Sequence, residues 1–138
     1  MRVATPVQVD LFFHEGRGPE LQAVHWAHQG RVLRAIDYFT PVDVHDPRNL
    51  KHVLFDRVQV VMITPEEVVA DRHAGDWFTR YRPAALFDLG RTPWLSTFAQ
   101  RHLANCKHYQ LMFYDEVFDV ICEGARCVRG GYQPGGAG

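Results

Sequence analysis

Cysteine is scarce in this chain, and the three present, Cys106, Cys122 and Cys127, make an odd number, so a disulfide-stapled secreted scaffold is not its plan. Charge of one sign is lacking too: 15 basic against 16 acidic side chains leave a net charge of -1, with no clustered basic stripe. A protein built to grip phosphate backbones is thereby disfavoured, and no nucleic acid is expected as a partner. No apolar run approaches the roughly 20 residues needed to cross a bilayer, and the opening stretch MRVATPVQVDLFF has no continuous apolar block of the leader type. The expectation is a soluble, cytoplasmic protein with reduced thiols and no membrane partner. Glycines never form a phosphate-cradling loop between strand and helix, no Walker lysine follows a glycine run, and there is no Gly-x-Ser-x-Gly elbow. Nucleotide binding by those routes is not expected, and neither is a cofactor.

What is present is enough for one core. At 138 residues with 46% hydrophobic and 12% aromatic side chains, the chain fits a single domain over residues 1–129, followed by a flexible glycine-rich tail over 130–138. Val7, Val9, Leu11 and Phe13 occupy alternate positions, with Gln8 and Asp10 between them, and predict a strand. Two further runs meet at Gln29-Gly30 as a hairpin with Leu21 beside Tyr38, Ala23 beside Ile36, Val24 beside Ala35, His25 beside Arg34, Trp26 beside Leu33 and Ala27 beside Val32. VLFDRVQVVMIT, residues 53–64, reads as one long strand.

Two cap signatures predict helices. Thr64-Pro65-Glu66-Glu67 opens one over about 65–74, closed by Gly75, and Thr92-Pro93 opens another over about 93–104, with Asn105 as a left-handed stop. A short strand is expected over 84–88. Short links between successive strands favour antiparallel pairing, so the expected class is α+β: a predominantly antiparallel sheet of about five to seven strands with those two helices packed on one face.

The segment HLANCKHYQLMFYDEVFDVICEGARC, His102 to Cys127, carries most of the polar chemistry. With Asp115-Glu116 as a two-residue tip, Phe113 falls opposite Phe118, Leu111 opposite Val120 and Tyr109 opposite Cys122, one continuous apolar face. The reverse face sets His108 opposite Glu123, Gln110 opposite Ile121 and Met112 opposite Asp119. A histidine held by a carboxylate is the usual form of a tuned base, so His102, His108 and Glu123 are the catalytic candidates, in a pocket between the sheet and the 93–104 helix, with Tyr114 and Asp119 near it. Cys106, His108, Glu123 and Cys127 form an alternative metal set by ligand type, although the close Cys-x2-4-Cys pair of a structural zinc site is missing. The plainer reading makes the cysteines small buried hydrophobes and His108–Glu123 a cross-strand pair.

His25 and His28, three apart on a strand, project to opposite faces and do not suit one metal ion. Trp77, Tyr81 and Arg82, with Tyr114 and Asp119, are candidate binding residues if exposed. Two functions follow: a binding domain for a protein partner or a second copy of itself, or a small enzyme or small-molecule binder that uses the His/Glu pair.

Overall fold

The computed structural model describes residues 4–43, 46–68 and 81–134. Strands dominate: β1 (Thr5–Pro6), β2 (Glu20–Ala27), β3 (Val32–Phe39), β4 (Lys51–Asp56), β5 (Val60–Pro65), β6 (Leu86–Asp88), β7 (Lys107–Met112), β8 (Glu116–Cys122) and β9 (Gly124–Arg129). They form two antiparallel sheets, a five-stranded one ordered β1-β6-β7-β8-β5 and a four-stranded one ordered β2-β3-β4-β9. Leu33, Ile36, Tyr38, Val53 and Phe55 from the smaller sheet meet Leu86, Leu111, Phe118 and Val120 from the larger in one buried core. Each such side chain contributes about 1.5–3 kcal/mol by leaving water, and facing sheets are the arrangement that buries both apolar faces at once.

This two-sheet architecture corrects the α+β expectation. Among the described residues no helix reaches seven residues. The helix expected over 65–74 does not start at its proline: Pro65 pairs with Glu116 as the last residue of β5, and only Glu66–Val68 coil, as a 3-10 turn. Residues 69–74 lie outside the described residues. At 93–104 the cap itself is real. Thr92 Oγ1 accepts from the Leu95 N–H and Pro93 opens α1 (Pro93–Ser96), but the helix stops there. Thr97 Oγ1 donates to the Trp94 carbonyl, Gln100 Nε2 donates to that of Leu95, and Ala99 takes an extended conformation, so only a 3-10 turn, Gln100–His102, follows. Side chains occupy carbonyls that a longer helix would need. Asn105 is not left-handed.

The strand expected over Val7 to Phe13 is also corrected, since β1 ends at Pro6 and the chain turns where Gln8 adopts φ 42°. Gln8 then acts as a strand surrogate. Its Nε2 donates to the Cys127 carbonyl and its Oε1 accepts from the Cys127 N–H, so one amide covers part of the free side of edge strand β9. The long strand expected over 53–64 breaks at Arg57, φ 52°, and its halves β4 and β5 belong to different sheets.

The β7–β8 hairpin keeps its faces and changes its partners, whereas β2–β3 keeps its ends and slips by one residue between them. In β7–β8 the tip is Tyr114-Asp115, closed by the Phe113 N–H donating to the Glu116 carbonyl, one residue earlier than expected. The register therefore moves by two: Leu111 lies opposite Phe118, Tyr109 opposite Val120, Gln110 opposite Asp119 and His108 opposite Ile121. An even shift preserves which face each side chain takes. In β2–β3 the ends pair as expected, Leu21 with Tyr38 and Trp26 with Leu33, whereas the register is displaced by one between irregularities at Leu21/Ala23 and His25/Trp26. His25 thus lies opposite Ala35, not Arg34.

Candidate functional site

Three polar groupings emerge from this framework, and the first lies on the larger sheet's face away from the main core. The segment after Thr92 folds back over that face, where Leu95, Leu103 and Cys106 pack on Ile121 in a second apolar cluster. Arg91 fastens the segment by donating to the Leu103 and Cys106 carbonyls at 2.7 and 3.2 Å. Beneath it, His108 Nε2 lies 2.6 Å from Asp119 Oδ1 and His108 Nδ1 lies 2.8 Å from Thr92 Oγ1. Gln110 Nε2 donates to the same Asp119 oxygen at 3.0 Å, and the Trp94 ring covers the imidazole at 4.9 Å between centroids.

Hydroxyl, imidazole and carboxylate in series have the composition of a nucleophilic triad, but the surroundings oppose that use. Thr92, His108 and Asp119 are all buried, both imidazole nitrogens are engaged, and the hydroxyl oxygen already caps α1. A reacting group has no approach, so the network pairs both imidazole nitrogens and Asp119 Oδ1, leaves Asp119 Oδ2 without a hydrogen-bond partner among the described residues, and ties the 92–106 segment to the sheet through Thr92.

The expected catalytic trio does not assemble. His102 is exposed, Glu123 pairs with Arg57 at 3.0 Å, and His108 is buried with Asp119. The space between the sheet and the 93–104 segment is occupied by Leu95, Leu103, Cys106 and Ile121, with Val60, Trp94 and Phe98 packed against them. Among the described residues no three His, Cys, Asp or Glu side chains converge as a metal set. The alternative ligands are dispersed: Cys106 lies in the second cluster, and Cys127 lies in the main core. All three thiols are free, and burial pushes Cys122 up to about 12 and Cys127 up to about 11.

A second grouping was not anticipated. The displaced register of β2–β3 sets His25 Nε2 2.8 Å from Asp37 Oδ2, and the other Asp37 oxygen accepts from the Tyr132 N–H at 2.9 Å. His52 is the cross-strand partner of Asp37, and its Nδ1 donates to the Gly130 carbonyl at 2.8 Å. The Tyr132 ring lies against both imidazoles, 5.0 Å from His25 and 5.7 Å from His52. These bonds dock residues 130–132 on the smaller sheet. The available signal was Asp37 itself, a carboxylate in a run of buried strand residues, which demands a partner.

The third grouping is a cleft of about 240 Å³ beside the β7–β8 tip, lined by His14, Gly16, Arg17, Gly18, Glu66, Arg82, Met112, Phe113 and Tyr114. Three backbone hydrogen bonds tie its walls down. Tyr114 N–H donates to the Pro19 carbonyl, Glu66 N–H to that of Asp115, and His14 N–H to that of Pro83. The Arg17 guanidinium lies 4.3 Å over the Tyr114 ring and 3.7 Å from Glu20. Gly18 runs so close to the tip that a Cβ there would meet Phe113 C and Tyr114 N at 3.0 Å. Desolvation first, and the Arg82 charge second, hold the His14 imidazole below its ordinary pKa.

Of the expected binding residues, Arg82 and Tyr114 line this cleft, Tyr81 stacks on Phe87 at 6.4 Å, Asp119 is sealed with His108, and Trp77 lies outside the described residues. Arg17, set between Gly16 and Gly18, carries no periodic or motif signal in the sequence that marks it as a binding residue. Among the described residues no helix is long and apolar enough to cross a membrane. Comparison with protein-family models, curated proteins and solved structures returned no match for this chain.

Proposed function

We propose that this chain is a recognition module, a two-sheet framework that binds a small charged group in the cleft at the β7–β8 tip and performs no chemistry on it. The observation that carries the reading is the cleft itself, a concavity with anchored walls on which Arg17, Arg82, Glu66 and Tyr114 converge. Recognition sites combine a pre-formed concavity with a few placed polar groups. The acid-base alternative lacks comparable support, because His108 and Asp119 are enclosed behind Trp94 and the second apolar cluster.

A cytoplasmic setting suits the reduced thiols, all three of them buried and free. The charged group belongs to a small molecule or to a terminus or side chain of a protein partner. Amide-detected NMR of the labelled full chain, titrated with small acids, amines and zwitterions, tests the reading. The expected shifts map to Gly16, Gly18 and Tyr114 and spare Leu95 and His108. Shifts centred on Leu95 and His108 would reinstate the enclosed site and remove this proposal.

A further inference from the structure

Resting on the reading of the cleft as a binding site, we infer that its ligand is a small zwitterion on the scale of a free α-amino acid, with the carboxylate toward Arg82 and the ammonium toward Glu66. Both side chains line the cleft and both are exposed. Among the described residues neither has an ion-pair partner, and they do not pair with each other. Among the described residues, one concavity thus presents a cation and an anion that have no ion-pair partner, carried on separate segments.

Alternative charge types fit less well. A simple anion would gain Arg82 but face Glu66, and a phosphate dianion would feel that repulsion twice over. Arg17 offers limited compensation, being near Glu20 and laid on the Tyr114 ring. A simple cation would meet two guanidinium groups. A molecule with both charges satisfies Arg82 and Glu66 together, which is complementarity acting as specificity. Size agrees, since a cleft of about 240 Å³ lies below the roughly 300–1,000 Å³ of drug-sized sites and is small for a nucleotide. Met112 and Phe113 supply apolar wall for an aliphatic side chain.

The test uses L-leucine, N-acetyl-L-leucine, which lacks the ammonium, and L-leucinamide, which lacks the carboxylate, titrated into the labelled full chain by NMR. Leucine is expected to bind most tightly, each derivative being weaker by about threefold or more, the modest factor suited to exposed ion pairs. Arg82→Gln should bring leucine and leucinamide to equal affinity, and Glu66→Gln should do the same for leucine and N-acetyl-leucine. Both substitutions are at exposed positions, and the dispersion of the variants' amide spectra verifies folding. Equal affinity of the wild-type chain for the three compounds overturns the inference. Tighter binding of N-acetyl-leucine than leucine overturns the zwitterion while leaving the cleft as an anion site, and cleft shifts with none of the three remove both readings.

Discussion

Replacing His108 by leucine should cost the protein more than replacing His108 and Asp119 together. In the single variant Asp119 Oδ1 keeps only the Gln110 donor, and Thr92 Oγ1 loses its imidazole partner. Stranding a buried polar group costs about 1–3 kcal/mol, so two affected groups give about 2–6 kcal/mol, against a total stability of about 5–15 kcal/mol for an ordinary domain. His108→Leu/Asp119→Leu removes the buried carboxylate together with its imidazole donor, leaving the Thr92 hydroxyl and the Gln110 amide each short of one weaker, neutral partner. Apolar replacement of a whole buried pair is often neutral or stabilising, so the double variant should recover part of the loss. Urea unfolding of the wild type, both single variants and the double variant, analysed as a cycle, should show coupling of about 1 kcal/mol or more. Additive losses would show that the 2.6 Å contact carries no mutual stabilisation and would refute the account of His108 and Asp119 as a mutually dependent buried pair.

Further outcomes follow from the same geometry. Phe118, buried and 5.4 Å from the Phe113 ring, should lose about 3–5 kcal/mol on Phe118→Ala by urea unfolding, while the half-exposed Ile63 should lose distinctly less on Ile63→Ala. Gly18→Ala should cost about 1–3 kcal/mol and shift the Tyr114 amide, because the new Cβ meets backbone rather than a yielding side chain. Since the folded pKa of His14 is depressed, the unfolded chain takes up the proton first. Stability from neutral His14 is complete above about pH 6.5 and is lost as pH falls through the lower folded pKa. His14→Asn should therefore flatten the dependence of melting temperature on pH below 6.5, and an unchanged slope would contradict this assignment. Cys122 and Cys127, pushed to about 12 and 11, should resist an aromatic disulfide reagent at pH 8 until the protein is denatured.

Alternation is a local property, and it made the faces of β7 and β8 legible from sequence: Tyr109, Leu111, Phe118 and Val120 all point to the core as expected. Partner identity was less legible. Moving the tip from Asp115-Glu116 to Tyr114-Asp115 leaves every face intact yet gives His108 to Asp119 instead of Glu123. Likewise, compensating irregularities in β2–β3 preserve both ends of the hairpin while bringing His25 to Asp37. The helices failed for another reason. Thr92-Pro93 is a true cap, but a cap signals only a start, and Thr97, Ala99 and Gln100 end α1 within four residues. The cleft had no periodic signature, because its walls come from four separate stretches brought together by tertiary contacts.

The claim that the β7–β8 tip is the binding site is tested most directly by mapping amide shifts of the full chain on addition of L-leucine. The expected result is a saturable set of shifts largest at Gly16, Gly18, Arg82 and Tyr114, reduced by Arg82→Gln and by Glu66→Gln. Shifts centred instead on His25, Asp37 and Tyr132 would place binding on the smaller sheet and contradict the account.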